Sequence, residues 1–463
     1  VVSLEELATS WHPQTLSIQA PLLQTVLSRD RPPPLNLPTK KGSSEVTLLV
    51  VTKYRSTFEK FGILPEDRFR HVALLGKTGG GKSTLMLRKI ISDIRAGRGL
   101  AVVDPHGDLI DQVLRLIPKE RTNDVVLFDP ADTEHPIGFN VLDCPDPALR
   151  PLVASGVLSA FKKMYAEFFG PRMEHYFRNA LLALLESPDV TLLSLMRFLQ
   201  DRRYRNEVVR RVSNPVVRCV WEREFASKPP KLQEESLSPI QNKVGQLVSS
   251  PILLNIVGQR RAKLNLQEIA DEGKILLAPL SKGRLGEDVS SVLGSFLITS
   301  LQLSLMRRAE QELSDRKDFF LYIDEVQNYS SESFATLLSE IRKYRTGLIV
   351  ANQFLSQLDE STLDALLGNI GSMITFQVGA NDAELLTSQL GGDLEPRDLM
   401  AIPRFHAYVR LLIEGEPSQP FTMRTLPLMP SVRHRADTLR RVSRHRYARP
   451  RKRIDDEIKA AFS

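Results

Sequence analysis

Cysteine is nearly absent from this sequence: only Cys144 and Cys219 occur, and there is no Cys-x-x-Cys pair. A disulfide framework or a cysteine-based zinc site is therefore not expected, and the composition fits a reducing compartment. The eight histidines are scattered, and none falls at metal-ligand spacing. No signal peptide is recognisable at the start of the sequence. What remains is the composition of an ordinary globular protein, with 42% hydrophobic and 25% charged residues.

A long, purely apolar run is also missing. The longest uncharged stretch, residues 289–306, has the length of a membrane span but contains five serines, a threonine and a glutamine. This polarity predicts a helix buried in protein rather than in lipid. Because the sequence opens with Val-Val instead of Met, an upstream membrane anchor stays an open alternative.

Excess positive charge is lacking outside the C-terminal tail. Residues 431–463 contain 11 Lys and Arg against four Asp and Glu, a surplus equal to the net charge of +7 for the whole chain. Such a block predicts an arm for nucleic acid or an acidic partner, or alternatively a solvated, partly helical surface tail.

A glycine-rich loop follows the apolar run 72–75 and matches the pattern G-x-x-x-x-G-K-[ST], which predicts a phosphate-binding loop before a helix over 83–94. The glycines let backbone N–H groups converge on a polyphosphate, and the helix N-terminus adds partial positive charge. We expect Lys82 to reach the β- and γ-phosphates and Ser83 to ligate Mg²⁺. The full candidate set is Gly76, Lys77, Thr78, Gly79, Gly80, Gly81, Lys82, Ser83 and Thr84. The alternative is a glycine-rich turn that happens to precede a helix.

Two adjacent acids, Asp324 and Glu325, end a run of bulky residues that begins at Phe319. The run predicts a buried strand whose tip carries carboxylates. Asp324 is expected to hold Mg²⁺ through water, and Glu325 to polarise the water that attacks a γ-phosphate. The pair indicates an ATP hydrolase more than a passive nucleotide binder; the alternative is a strand end with solvated charges.

The pattern of strands and helices predicts an α/β core interrupted by a helical insertion. Short apolar runs alternate with helical stretches before residue 146 and again after 251, which is typical of a parallel sheet covered on both faces. Residues 147–250 are helix-like throughout. We therefore predict a peripheral segment over 1–45, one nucleotide-binding domain over 46–146 and 251–425, an all-helical insertion over 147–250 and a basic tail over 426–463.

Several strings resemble the HerA/FtsK superfamily of ring-forming DNA-pumping ATPases, and within it the TraG/TraD-type coupling proteins of conjugation and type IV secretion. The resemblance runs from about residue 70 to residue 421. Besides the phosphate loop and the Asp324-Glu325 pair, it rests on Arg70-His71, Asp104-Pro105-His106-Gly107-Asp108, Gly138-Phe139-Asn140-Val141-Leu142, Arg342-Lys343-Tyr344 and Ala351-Asn352-Gln353.

The resemblance implies a RecA-like P-loop NTPase core, a mainly parallel sheet and an all-helical inserted domain. It implies a homo-hexameric ring with ATP between subunits and single- or double-stranded DNA in the channel. Relaxase or secretion-channel proteins are implied partners, in the cytoplasm or at the inner face of a bacterial membrane. Coupling proteins usually carry an N-terminal membrane anchor, and the sequence as given shows none.

Four further residues are candidates for the site. Gln353 follows an apolar strand and matches the family's sensor of the γ-phosphate; the alternative is a polar strand end. Arg342, near the end of a helix predicted over 332–344, matches a residue that reaches a neighbour's nucleotide, and Arg70 matches a second such arginine. Asp104 is expected either to orient the surroundings of Mg²⁺ or to cap the turn at Gly107.

The sequence thus predicts an ATP-driven DNA translocase of the coupling-protein kind. Three alternatives remain: a HerA-like motor for DNA-end processing with a separate nuclease, a secretion ATPase that never grips DNA, and a scaffold whose assembly ATP controls.

Overall fold

The computed structural model describes residues 28–39, 46–54, 58–144, 146–166, 169–330, 332–427 and 435–462. Most of the predicted peripheral segment over residues 1–45 lies outside these ranges. Residues 28–39 lie against the C-terminal part of the core, where Arg29 Nε donates to Asp398 Oδ1 at 3.0 Å.

The strands within the described residues are short and mostly buried. They are β1 (Thr47–Thr52), β2 (Lys60–Ile63), β3 (Val72–Leu75), β4 (Gly99–Asp104), β5 (Val125–Leu127), β6 (Ile275–Pro279), β7 (Phe319–Ile323), β8 (Thr346–Asn352), β9 (Ser372–Thr375), β10 (His406–Arg410), β11 (Leu412–Ile413), β12 (Glu416–Pro417) and β13 (Phe421–Arg424). All strands but β11 and β12 join one sheet, in the order β2-β1-β13-β10-β9-β3-β8-β7-β4-β6-β5.

The sheet is parallel from β9 to β5 and antiparallel from β2 to β9. The predicted mainly parallel α/β core is therefore confirmed, and the strand prediction at β3 and β7 matches residue for residue. Strand β10 (His406–Arg410) pairs antiparallel with β9, where the parallel part of the sheet ends. Strands β1, β2 and β13 are not among the predicted strands. Strands β1 and β13 pair across about 370 residues of sequence, as at Thr52 and Met423, and β2 pairs only with β1.

The helices cover both faces of the sheet and fill the insertion. They are α1 (Lys82–Arg95), α2 (Asp108–Leu116), α3 (Arg150–Met164), α4 (Pro171–Leu185), α5 (Leu192–Gln200), α6 (Arg202–Arg211), α7 (Pro215–Cys219), α8 (Pro230–Val248), α9 (Pro251–Val257), α10 (Leu266–Glu272), α11 (Lys282–Leu285), α12 (Glu287–Met306), α13 (Glu332–Glu340), α14 (Glu360–Asn369), α15 (Ala380–Leu390), α16 (Pro396–Met400), α17 (Arg435–Tyr447) and α18 (Arg451–Phe462).

Side chains of β3 alternate between two hydrophobic cores, as the period of a strand requires. Val72 and Leu74 join the core beneath α1 and α2, whereas Ala73 and Leu75 face the core shared with α12 and the insertion. Helices α3–α9 leave the sheet after β5 and return before its neighbour β6. The insertion is thus a large crossover between two adjacent parallel strands.

Helix α12 contains the uncharged stretch singled out in the sequence. The helical stretch Glu287–Glu310 is the one among the described residues that is long and apolar enough to cross a membrane, yet 72% of its most apolar window is buried inside the protein. It packs against α3 of the insertion through Phe296 and Phe161, whose rings lie 6.2 Å apart.

The basic tail folds back onto the core. Helix α17 lies beside the edge strand β5, where Ser443 Oγ accepts a hydrogen bond from the Leu127 N–H at 2.8 Å. Arg440 pairs with Asp111 at 2.5 Å and Arg444 with Asp132 at 2.8 Å. Part of the predicted arm is therefore a docked helix. It covers an edge of the sheet, and two of its arginines form ion pairs with carboxylates of the core. Arg433 lies outside the described residues.

A fully buried charge cluster joins α1 to the sheet. Arg68 donates to both carboxylate oxygens of Asp93 at 2.7 and 2.6 Å, and Tyr322 Oη donates to the same carboxylate at 2.5 Å. Lys89 is buried beside them, and its Nζ has no hydrogen-bond partner among the described residues. Burial and the adjacent Arg68 charge lower the pKa of Lys89 well below its ordinary value.

Replacing Lys89 by Met should stabilise the protein at neutral pH. The unfolded chain binds a proton at this lysine below about pH 10 and the folded protein resists it, so the lysine costs stability there. Urea unfolding of Lys89→Met should give a higher free energy of unfolding than wild type at pH 7, with the difference shrinking as pH approaches 10. Lys119→Met, on an exposed turn, is the control and should show no such trend; lower stability of Lys89→Met at pH 7 would contradict the assignment.

Candidate functional site

The glycine loop lies between the buried strand β3 and helix α1, as predicted. Gly76, Gly79 and Gly81 have φ angles of 139°, 78° and 126°, a region in which side chains with a Cβ are strained. The loop is held from outside: the Lys77 N–H donates to Gln377 O at 2.7 Å, and Gly80 O accepts from the Phe405 N–H at 2.8 Å. Its backbone is therefore set in place by neighbouring segments.

Lys82 turns back over this loop. Its Nζ donates to the backbone oxygens of Gly76 and Lys77, the latter at 3.1 Å, and the side chain is buried. Burial lowers the pKa of Lys82, while the charges of Asp324 and Glu325 oppose that shift. A buried ammonium group whose partners inside the loop are neutral carbonyls suits a phosphate anion. Ser83, next along the chain, is exposed in the first turn of α1.

Asp324 and Glu325 directly follow β7, beside the loop. Asp324 is 7% exposed, and burial together with the charges of Asp104 and Glu325 raises its pKa to about 6. A carboxylate crowded by two others is stabilised by a cation, which is the donor chemistry that Mg²⁺ prefers. The carboxylates present therefore fit a magnesium ion at Asp324, and the part of Ser83 in holding it stays a prediction.

Glu325 stands in a strained backbone conformation, with φ at 49°. Its Oε1 lies 3.1 Å from His106 Nε2, and its Oε2 accepts from Asn328 Nδ2 at 3.4 Å. Burial lowers the pKa of His106, but the hydrogen bond and the charge of Glu325 outweigh burial, so the pKa lies above its ordinary value. The predicted base is thus oriented by a histidine to which the sequence patterns assigned no role of its own.

Asp104 ends β4 and caps α2. Its Oδ1 accepts from the His106 N–H at 2.9 Å, and its Oδ2 accepts from the N–H groups of Leu109 and Ile110 at 3.0 and 3.2 Å. Of the two expected roles, these contacts support capping. The same carboxylate also fixes the backbone of His106, because Asp104 and His106 belong to one turn.

Gln353 follows β8 and reaches the phosphate loop, where its Nε2 donates to Thr78 Oγ1. The loop, the acidic pair and Gln353 therefore meet at one edge of the sheet, which we call the carboxyl edge because β3, β4, β7 and β8 all end there. Sequence patterns did not point to Arg404, whose Nε donates to Gly79 O at 3.4 Å. Nor did they point to Phe376, which packs beneath Gly81. Both reach the loop from segments about 300 residues further along the chain.

Arg70 and Arg342 lie at the opposite, amino edge of the same sheet. Arg70 precedes β3 and Arg342 lies in the turn before β8; both are exposed. Between them, buried His71 contacts the backbone of Leu348 and Leu338 at 3.2 and 3.0 Å. Burial lowers the pKa of His71 to about 4, and the nearby Arg342 charge adds to this shift. The four residues of β3 span about 13 Å, so neither arginine is placed to serve its own phosphate loop.

A glycine loop and a strand-end carboxylate pair on a RecA-like parallel sheet define a P-loop NTPase. The chain belongs to the family described as Helicase HerA, central domain, whose model matches residues 64–301, just over half of the sequence. The predicted HerA/FtsK-type resemblance is thereby confirmed. A search of curated proteins found no match to this chain.

Solved structures share the fold at low sequence identity. The unbound bacterial conjugative coupling protein TrwBdeltaN70 superposes with a TM-score of 0.63 at 14% identity, over 83% of this chain and 91% of that one. Plasmid coupling protein TrwB in complex with a non-hydrolysable ATP analogue gives 0.62 at 14% identity, over 81% and 89%. VirB4 of Thermoanaerobacter pseudethanolicus gives 0.56 at 16% identity, over 82% and 96%.

Replacing Gly81 by Ala should weaken nucleotide binding by roughly tenfold or more. A Cβ at this position would lie 3.0 Å from Phe376 Cε1 and the backbone φ of 126° would be strained, so the loop must move. The measurement is titration with a fluorescent ATP analogue. Gly283→Ala, where a Cβ meets nothing within 4 Å, is the control and should bind as wild type does. Wild-type affinity in Gly81→Ala would show that the loop geometry is not required.

Proposed function

We propose that this protein is an ATPase that moves DNA through a ring of identical subunits, in the manner of a conjugative coupling protein. The observation that carries the proposal is the division of the site between two sheet edges. Lys82, Glu325 and Gln353 lie at the carboxyl edge, whereas Arg70 and Arg342 are exposed at the amino edge. A second subunit that presents its amino edge to this loop would complete the site.

Each residue has a distinct part in ATP hydrolysis. The loop N–H groups and Lys82 bind the phosphates, and Ser83 and Asp324 would hold Mg²⁺. The ion, when bound, supplies charge neutralisation at the phosphates. Glu325 accepts a proton from the attacking water as the γ-phosphate bond breaks, and Gln353 positions that water. Arg342 of a neighbour stabilises the charge that develops on the leaving phosphates.

Movement requires that the site make different contacts with and without the γ-phosphate. Gln353 would connect the γ-phosphate to the sheet. Its side-chain amide donates to Thr78 of the loop, and its backbone directly follows β8. Contacts to DNA should be mainly to its phosphates, since a motor must run over any sequence. The resemblance to coupling proteins and the family match to HerA both support a DNA substrate.

DNA should stimulate ATP hydrolysis. We expect a faster steady-state rate with single- or double-stranded DNA than without it, measured alongside the mass of the protein in solution with ATP. A hydrolysis rate that is the same with and without DNA would favour the secretion ATPase.

Glu325→Gln should still bind ATP, but its turnover should fall about 10²–10⁴-fold, which is the contribution of a general base. Unchanged biological activity of Glu325→Gln would favour the scaffold.

Arg342→Ala should keep ATP binding and lose most turnover, by about 10³–10⁵-fold for a full inter-subunit arginine finger. Lys343→Ala is the matched control, because Lys343 is the adjacent exposed cation. Mixing Arg342→Ala with Glu325→Gln subunits should restore part of the activity, since one partner supplies the arginine and the other the glutamate. Absence of recovery in mixtures that do assemble would exclude a role across the interface.

The family match keeps one second candidate in place. A HerA-like translocase for DNA-end processing predicts the same DNA-stimulated hydrolysis and the same mixing result. It differs in its partner, a separate nuclease, so co-purification of nuclease activity with the native complex would favour it over conjugative transfer.

A further inference from the structure

A cavity of about 840 Å³ lies where the helical insertion meets the C-terminal helix α18. Its walls come from residues 187–197 around the start of α5, from α6, from the segment 258–263 after α9, and from Arg449 and α18. It is separate from the carboxyl edge, whose loop and acidic pair do not line it. The size is that of a ligand site rather than a packing defect.

The cavity wall carries an excess of cations, although Arg197 and Arg211 also pair with Asp201 and Glu207 outside the lining. Its cations outnumber its acids, Asp189 and Glu457, by six to two. The cations are Arg197, Arg211, Arg260, Arg261, Lys263 and Arg449. Glu457 is already engaged by both terminal nitrogens of Arg449. Within the described part of the chain, no carboxylate forms an ion pair with Arg260 or Arg261, which feel the Glu457 charge only at longer range. Their positive charge is therefore left for a ligand.

Two neutral side chains of the wall, Ser187 and Tyr204, are also available to a ligand. Ser187 is 9% exposed, and its hydroxyl has no hydrogen-bond partner among the described residues. Tyr204 is half-buried, with the guanidinium of Arg197 4.6 Å from its ring centre. A buried hydroxyl without a partner costs free energy unless a ligand satisfies it. An aromatic ring beside arginines offers a surface on which a base can stack.

We propose that this basic cavity binds the phosphates of a single nucleic-acid strand, with Arg260 and Arg261 as the principal contacts and Ser187 as a hydroxyl donor. The proposal deepens the proposed function, on which it rests for the presence of DNA. A nucleic-acid strand carries negative phosphates and flat bases. The arginines of the wall can bind the phosphates, and the ring of the tyrosine can stack on a base. An acidic protein segment would need the cations but not the tyrosine.

The test is the affinity of a fluorescent single-stranded oligonucleotide, measured by anisotropy across a range of salt concentrations without ATP. Arg260→Ala/Arg261→Ala removes two cavity cations from an exposed segment. Lys452→Ala/Arg453→Ala is the matched control, because it removes the same charge from exposed positions of α18 that do not line the cavity. Poly-glutamate serves as the acidic competitor.

The cavity variant should bind about tenfold or more weakly. The slope of log affinity against log salt should fall by about 1.4, or 0.7 for each lost phosphate contact. The control variant should keep the slope and most of the affinity. Equal losses in both variants would overturn the proposal, as would displacement of the oligonucleotide by poly-glutamate at equal charge.

Photocrosslinking of an iodouracil-substituted oligonucleotide to the wild-type protein gives a second measurement that needs no variant. Crosslinked peptides should come from the segments around Tyr204 and 258–263; crosslinks elsewhere alone would overturn the assignment. If DNA does not stimulate ATP hydrolysis while the strand still binds through Arg260 and Arg261, the proposed function fails and the cavity assignment stands. If DNA stimulates ATP hydrolysis and the cavity variant binds the oligonucleotide as wild type does, the cavity assignment fails and the proposed function stands.

Discussion

The site depends on the parallel register of three strands. Strand β8 lies between β3 and β7, with Leu75 opposite Asn352 and Ile323 opposite Val350. Because parallel strands end at the same edge, this register brings the phosphate loop, the acidic pair and Gln353 within reach of one another. A shift of one residue would turn every side chain of a strand to the other face. Both faces of β3 are buried and apolar, so side-chain size rather than polarity opposes that shift: the smaller Ala73 faces one core and the larger Leu74 the other. Packing in the core therefore places the chemistry at the edge.

The same register separates the arginines from the loop. Arg70 enters β3 and Arg342 precedes β8, so both sit where these strands begin, and His71 ties the two beginnings together. A neutral His71 suits this place, since it accepts from one backbone group while its other nitrogen faces a carbonyl. The sheet therefore presents candidate residues at both of its edges. The ring that we propose would bring the amino edge of one subunit to the carboxyl edge of the next.

The sequence reveals those parts of the molecule that are local. Strands β3 and β7, the loop and the acidic pair are short, strongly patterned segments, and their bounds follow from burial and glycine content. Strands β1 and β13 escape prediction because they pair with each other from opposite ends of the chain, and α17 because its docking depends on acids such as Asp132, 312 residues away. His106 was visible in its motif, but its contact with Glu325 depends on two strands being neighbours. Long-range pairing is the information that a single sequence does not display.

The C-terminal helices connect the two regions to which we assign ligands. Helix α17 pairs with α2 through Arg440 and Asp111, and the N-terminus of α2 is capped by Asp104, beside the His106 that holds Glu325. Helix α18 follows directly and forms a wall of the basic cavity. A strand bound at the proposed cavity site would therefore touch an element that is joined, through packed helices and hydrogen bonds, to the turn that contacts Glu325. Coupling along this path requires only that α17 and α18 sit differently with and without a bound strand, because a ligand shifts an equilibrium only through contacts that differ between its states.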